Sequence, residues 1–260
     1  MSALLIGTND GVRTITLNRA ERHNAFDDAL IAELAAAFHD AATAPGIRAV
    51  VLDSTGKSFS AGADLEWMKR MAGYSHAENL ADAQALSDML EAIDSCPRPV
   101  IGVVQGAAYG GGVGLVAACD LAVAAEGATF CLSEVKLGII PAVISPYVVR
   151  AMGGRHARRY AVTAELFDAA EARATGLVHE VVPTERLGEV RDKWLARIKG
   201  NGPEAMSAAK GLIRRAADQP LDESLRHWTA EQIAQRRASD EGKEGIRAFL
   251  EKRKPSWVVN

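Results

Sequence analysis

The sequence predicts an α/β fold built on a parallel sheet with crossover helices. Two observations carry that expectation. Short apolar runs alternate with longer helical patterns from the start of the chain to about Glu134. Two of the strand runs then break into small residues and glycine before turning helical, in "FSAGADL" and "YGGGVGL". The chain of 260 residues is 48 % apolar but only 5 % aromatic, so its core is large and rich in Ala and Gly.

The elements follow in order. "LLIGTNDGVRTITLN" reads as a hairpin about an Asn-Asp-Gly turn. "FDDALIAELAAAFHDAATAP" reads as a helix with Asp27 as N-cap, an apolar stripe through Leu30, Leu34 and Phe38, and Pro45 as its stop. "IRAVVLDS" is a buried strand, and "KSFSAGADLEWMKRM" breaks at Gly62 and becomes helical. A second long helix, "AENLADAQALSDMLEAIDSC", closes at Pro97 and Pro99. The strand "VIGVVQG" leads into the glycines, then "GLVAACD" is helical and "LAVAAEGATFCLSE" gives two strands. Short helices and the strand "LVHEVV" come next. From Pro183 the chain is helical, ending in one long charged helix from about Leu221 to Lys254. The boundary falls at residue 200, with a core over 1–200 and a helical region over 201–260.

Charge and composition exclude several function classes. A formal net charge of −3 gives no basic surface for nucleic acid. No apolar run approaches the ~20 residues of a membrane span. The three cysteines, Cys96, Cys119 and Cys131, form no CxxC pair and sit in apolar sequence, as buried thiols of a reducing compartment do. With no leader pattern at the N-terminus, the expectation is a cytoplasmic protein. The six histidines form no HxH or HxxxH, so no metal site is expected.

The glycine cluster has three readings. A dinucleotide fingerprint fails, because no GxGxxG threads through positions 106, 110, 111, 112 and 114. A P-loop fails, because no Gly-Lys-Ser/Thr follows. What remains is a strand-to-helix turn that bares backbone N–H groups to an anionic oxygen, or tight packing without a ligand. Two such turns, each after a parallel strand, can bring two donors to one point and form an oxyanion hole.

Taken together, "SFSAGADL", "QGAAYGGGVGL" with "CDLAVAAE", and "FCLSEVKLGIIP" resemble the crotonase, or enoyl-CoA hydratase/isomerase, superfamily over essentially the whole chain. The resemblance implies a stacked ββα superhelix with a C-terminal α-helical trimerisation region, as a homotrimer or homohexamer. It implies an acyl-CoA thioester substrate, with coenzyme A part of that substrate and no separate cofactor. The thioester oxygen would sit between the N–H groups of Ala63 and Gly111, with Gly110 bare beside it. Ala25, Ala61, Asp64 and Leu65 match segments that line the CoA path, and Lys252 matches a basic position near CoA phosphate.

Two glutamates serve the typical hydratases of this superfamily. The second is matched by Glu134 in "CLSEVKLG", where apolar surroundings should raise its pKa for proton transfer. The first, three residues past the oxyanion glycine, is replaced by Gly114. Three outcomes stay open: a hydratase in which Glu134 acts alone, a 3,2-enoyl-CoA isomerase, or a site whose space at Gly114 admits a bulkier acyl group. The sequence looks most like the bacterial methylglutaconyl-CoA and isohexenylglutaconyl-CoA hydratases, whose dicarboxylic substrates would need a cation or N–H donors, with Lys69, Arg70 and Arg150 as the candidate cations. Outside catalysis, an acyl-CoA-binding pseudoenzyme or an RNA-binding protein are the alternatives.

Overall fold

The computed structural model describes residues 2–258. Strands β1 (Leu4–Asn9) and β2 (Val12–Leu17) form the expected antiparallel hairpin. Its turn needs two left-handed residues, and Asp10 (φ 46°) and Gly11 (φ 71°) supply them. Helix α1 (Asp28–Thr43) starts where the Asp27 carboxylate accepts the Leu30 N–H. It ends at Ala44, which is extended as the residue before a proline tends to be.

The chain then repeats one unit three times. β3 (Ala49–Ser54) is followed by the short β4 (Ser58–Ser60), β5 (Val100–Val104) by β6 (Ala107–Tyr109), and β7 (Leu121–Ala125) by β8 (Thr129–Cys131). The first member of each pair joins a six-stranded sheet of order β1-β2-β3-β5-β7-β10, with β10 at Glu180–Val182. The second joins a four-stranded sheet of order β4-β6-β8-β9, with β9 at Phe167–Asp168. The three units pair in parallel in both sheets, so they stack as ββα turns. Helices α2 (Leu65–Met71), α3 (His76–Asp94) and α4 (Gly111–Ala118) are the crossovers.

Both faces of the larger sheet are covered, which is why β3 and β5 read as continuous apolar runs. One face packs Ile15, Leu17, Val50 and Leu52 against Leu34 and Phe38 of α1 and Met89 and Ile93 of α3. The other packs Val51, Ile101 and Val123 against Val190, Trp194 and Ile198 of α7 (Leu187–Gly200). Helix α5 (Ser145–Thr163) carries a break at Gly153 (φ 74°), and α6 spans Ala169–Ala174.

Two details differ from the sequence expectation. The glycine cluster does not follow β5 directly, since β6 intervenes and belongs to the second sheet. The expected long terminal helix is two helices, α9 (Glu223–Ala238) and α10 (Asp240–Leu250), after α8 (Pro203–Asp218). Ser239 is extended, and its hydroxyl accepts the Gly242 N–H, so it stops α9 and caps α10. Among the described residues of α8 no side chain is buried, and Phe249 on α10 is 82 % exposed. No helix among the described residues is long and apolar enough to cross a membrane.

Candidate active site

The site forms where the turns after β4 and β6 meet. Gly62 is left-handed (φ 85°), and a Cβ on it would lie 2.8 Å from Tyr109 O and 3.6 Å from Gly111 N. The turns touch there because neither carries a side chain. Residues 23–26 run alongside the first turn and clamp it. Ala61 N–H donates to His23 O (2.9 Å), Phe26 N–H to Gly62 O (2.8 Å) and Asp64 N–H to Phe26 O (2.9 Å). The amides of residues 61 and 64 are taken by this clamp and Gly62 N–H donates to Ser60 Oγ (3.3 Å), while Ala63 N–H has no acceptor within the chain among the described residues.

The second donor is the first residue of α4. Gly111 N–H is one of the orphan amides of a helix N-terminus, where the peptide dipoles add a partial positive charge. Phe26 packs against this turn so closely that a Cβ on Gly111 would lie 2.2 Å from Phe26 Cζ. Gly110 has φ 52° and ψ −121°, a region closed to residues with a side chain, and its N–H donates to Cys131 O (2.8 Å).

Glu134 lies over that same turn. A Cβ on Gly110 would stand 3.2 Å from Glu134 Oε1, so the carboxylate rests on the bare backbone. Its other oxygen, Oε2, is buried without a hydrogen-bond partner. Burial pushes the Glu134 carboxyl above the ordinary glutamate range. Burying a carboxylate oxygen without a partner costs folding free energy, and the hydrogen bond from the residue's own backbone offsets only part of it. Such a group is suited to exchanging protons with a ligand.

These groups open onto a cleft of about 600 Å³ lined by Ala61, Ala63, Gly110, Gly111 and Glu134. Trp67, Met68, Leu86, Ile140 and Ile144 give it an apolar wall. The other residues singled out in the sequence lie elsewhere. Asp64 is buried and structural: it caps α2 by accepting from Glu66 and Trp67 N–H and pairs with Arg19 (3.1 Å) and Arg22 (3.0 Å). Burial alone would raise its pKa, but these hydrogen bonds outweigh it and hold the carboxyl below its usual value. Ala25 is buried, and its carbonyl accepts from Arg19 Nη1 (3.0 Å). Leu65 is exposed at the outer start of α2. Lys252 is exposed beyond α10 and does not line the cleft.

Gly114 requires a correction. The sequence suggested that its missing side chain leaves room for a bulkier acyl group. Instead a Cβ there would meet Ile144 Cγ2 at 2.3 Å and Ile144 Cβ at 2.9 Å. Ile144 fills that space and itself lines the cleft, whereas Gly114 is buried behind it. The expected cations are also engaged away from the cleft: Lys69 with Glu66, Arg70 with Asp28, and Arg150 with Asp94.

Sequence reasoning missed Phe26, Asn79, Asp82 and Ile144, all of which line the cleft. Among the described residues, no three His, Cys, Asp or Glu side chains cluster closely enough to hold a metal ion.

Similarity to known proteins shows the family. The sequence profile described as "Enoyl-CoA hydratase/isomerase" matches residues 7–260. A solved enoyl-CoA hydratase from Shewanella pealeana is 43 % identical, with a TM-score of 0.96 over 98 % of this chain and 96 % of its own. A Thermus thermophilus protein that carries the provisional name enoyl-CoA hydratase is 36 % identical over 246 residues, 95 % of this chain and 97 % of its own. The 2,3-dehydroadipyl-CoA hydratase of Escherichia coli is 31 % identical over 258 residues, 99 % of each chain. With the profile spanning nearly the full length and the stacked ββα architecture in place, the chain is an enzyme that belongs to the enoyl-CoA hydratase/isomerase family.

Proposed function

We propose that the protein is an enoyl-CoA hydratase that adds water across the 2,3 double bond of an acyl-CoA thioester with a single glutamate. The observation that carries this reading is the buried, unpartnered oxygen of Glu134, held over the junction of the two bare turns. The thioester oxygen accepts hydrogen bonds from Ala63 and Gly111 N–H, which draws electron density from the conjugated double bond and makes Cβ electrophilic. The Glu134 carboxylate takes a proton from water as the water oxygen bonds to Cβ. The negative charge moves to the thioester oxygen as an enolate. Glu134 then returns the proton to Cα, the carbonyl re-forms, and the net change is one added water. Each oxyanion donor is worth about 10²–10³ in rate, and positioned proton transfer about 10²–10⁴.

The chemistry of the cleft bears on the acyl group. Its wall is apolar, and among the described residues lining it there is no lysine or arginine. That favours a neutral acyl chain, straight or branched, over the methylglutaconyl-type dicarboxylate that the sequence resemblance suggested. The free, largely buried thiols of Cys96, Cys119 and Cys131 support residence in a reducing compartment such as the cytoplasm. The exposed apolar side chains of α8 to α10, among them Ile213, Ile233 and Phe249, support a homotrimer or homohexamer that covers them.

The same glutamate can move a proton between carbons, so 3,2-enoyl-CoA isomerisation is the second reading. Two substrates separate them. Crotonyl-CoA is expected to lose its enoyl absorbance and yield 3-hydroxybutyryl-CoA. 3-Hexenoyl-CoA converted to 2-hexenoyl-CoA, with crotonyl-CoA untouched, would overturn the hydratase reading.

A further inference from the structure

Two carboxylates line the cleft, and only one belongs to the chemistry above. The other is Asp82 on α3. Its Oδ1 accepts the Trp67 indole N–H at 3.2 Å. Trp67 lies against Phe26, with ring centroids 6.4 Å apart, and Phe26 packs on the oxyanion turn. Asp82 is thus fixed in the acyl wall and joined to the oxyanion turn through two aromatic rings.

Nothing in the cleft neutralises it. Asp82 forms no ion pair among the described residues. The cation nearest it in charge terms, Arg70, is bound to Asp28 at 2.6 Å on the outside of the fold. Burial disfavours the charged form of Asp82. A fixed negative charge in a wall of Trp67, Met68, Leu86 and Ile144 repels a second negative charge more strongly than it would in water. A neutral methyl end meets no such charge–charge repulsion.

We propose that Asp82 is a specificity-determining residue that excludes acyl chains ending in a carboxylate and so reserves the cleft for neutral acyl-CoA thioesters. The proposal deepens the hydratase reading and rests on it for the identity of the ligand class.

Hexanoyl-CoA and adipyl-CoA provide the test, because they match in length and differ at the far end as methyl against carboxylate. Neither has a double bond to hydrate, so their dissociation constants, measured by calorimetry at pH 8, report selection without turnover. The native protein is expected to bind adipyl-CoA at least tenfold more weakly. Asp82→Asn should narrow that gap threefold or more. Asp88→Asn removes the same charge from the exposed side of α3 and should leave the gap in place. If Asp82→Asn does not unfold cooperatively near the native temperature, Asp82→Ser is read in the same way. A gap that narrows by less than threefold in the Asp82 variant, or that narrows equally in the Asp88 variant, overturns the proposal. If the gap behaves as expected but no enoyl-CoA is hydrated, the hydratase reading fails and the selection stands. Hydration without an Asp82-dependent gap means the reverse.

Discussion

Adding one methyl group at Gly114 tests whether packing holds this site to a single acid. In Gly114→Ala the new Cβ meets Ile144 Cγ2 at 2.3 Å and Ile144 Cβ at 2.9 Å. The second contact is at the base of a β-branched side chain, so a rotamer change does not relieve it. Either α4 or the segment carrying Ile144 must move. Overpacking of a filled core costs about 1–3 kcal/mol. Alanine in a helix recovers about 1 kcal/mol relative to glycine. The balance is a loss of about 0–2 kcal/mol, read as a melting temperature lower by up to roughly 8 °C for a chain near this size. Ile144→Ala removes Cγ2 and destabilises by about 2–4 kcal/mol by itself. The double variant should lose less than the sum of the singles by about 1 kcal/mol, since the two sites share one contact. Thermal and urea unfolding of the four proteins measure this cycle. Strictly additive singles would refute the claim that Ile144 occupies the space a side chain at position 114 would need.

Two further outcomes follow from the geometry. Gly110→Ala forces a side chain into a left-handed conformation and to 3.2 Å from Glu134 Oε1, so hydration of crotonyl-CoA should fall about 10²-fold or more while cooperative unfolding survives. Glu134 has a raised pKa in the fold, so the folded chain holds that proton more tightly than the unfolded chain. Its ionisation therefore costs stability as pH rises through the folded value, and Glu134→Gln should raise the melting temperature at pH 8 but not at pH 4. The same shift places the acid limb of kcat/KM above the ordinary glutamate pKa of about 4.3, because the carboxylate is the form that accepts the water proton.

Much of this was readable from residues alone, for reasons that differ by element. Asp27, Pro45 and the Asp10-Gly11 turn act through local backbone chemistry, and each does what its type dictates. The two glycine turns were legible because so many residues without side chains in so short a stretch have few uses. Strands β6 and β9, of three and two residues, are too short to show a period, and only pairing with distant strands defines them. The break at Ser239 was overlooked although Ser-Asp-Glu is an N-cap sequence, because the charge pattern runs on across it. Asp82 sits in the half of α3 with no fully buried side chain, since the buried positions begin only at Met89. Sequence therefore shows it as a solvated face, and only the cleft beside it gives it a neighbour. Ile144 is similar: an ordinary apolar residue whose meaning depends on what stands opposite it.

The most direct test is the hydration rate of crotonyl-CoA by the native protein and by Glu134→Gln, a substitution that keeps size but removes the titratable carboxyl. A kcat lower by about 10³-fold or more, with KM changed less than about threefold, is the predicted result for a lone proton carrier acting after binding. A glutamine variant that keeps a tenth or more of the native kcat would contradict it.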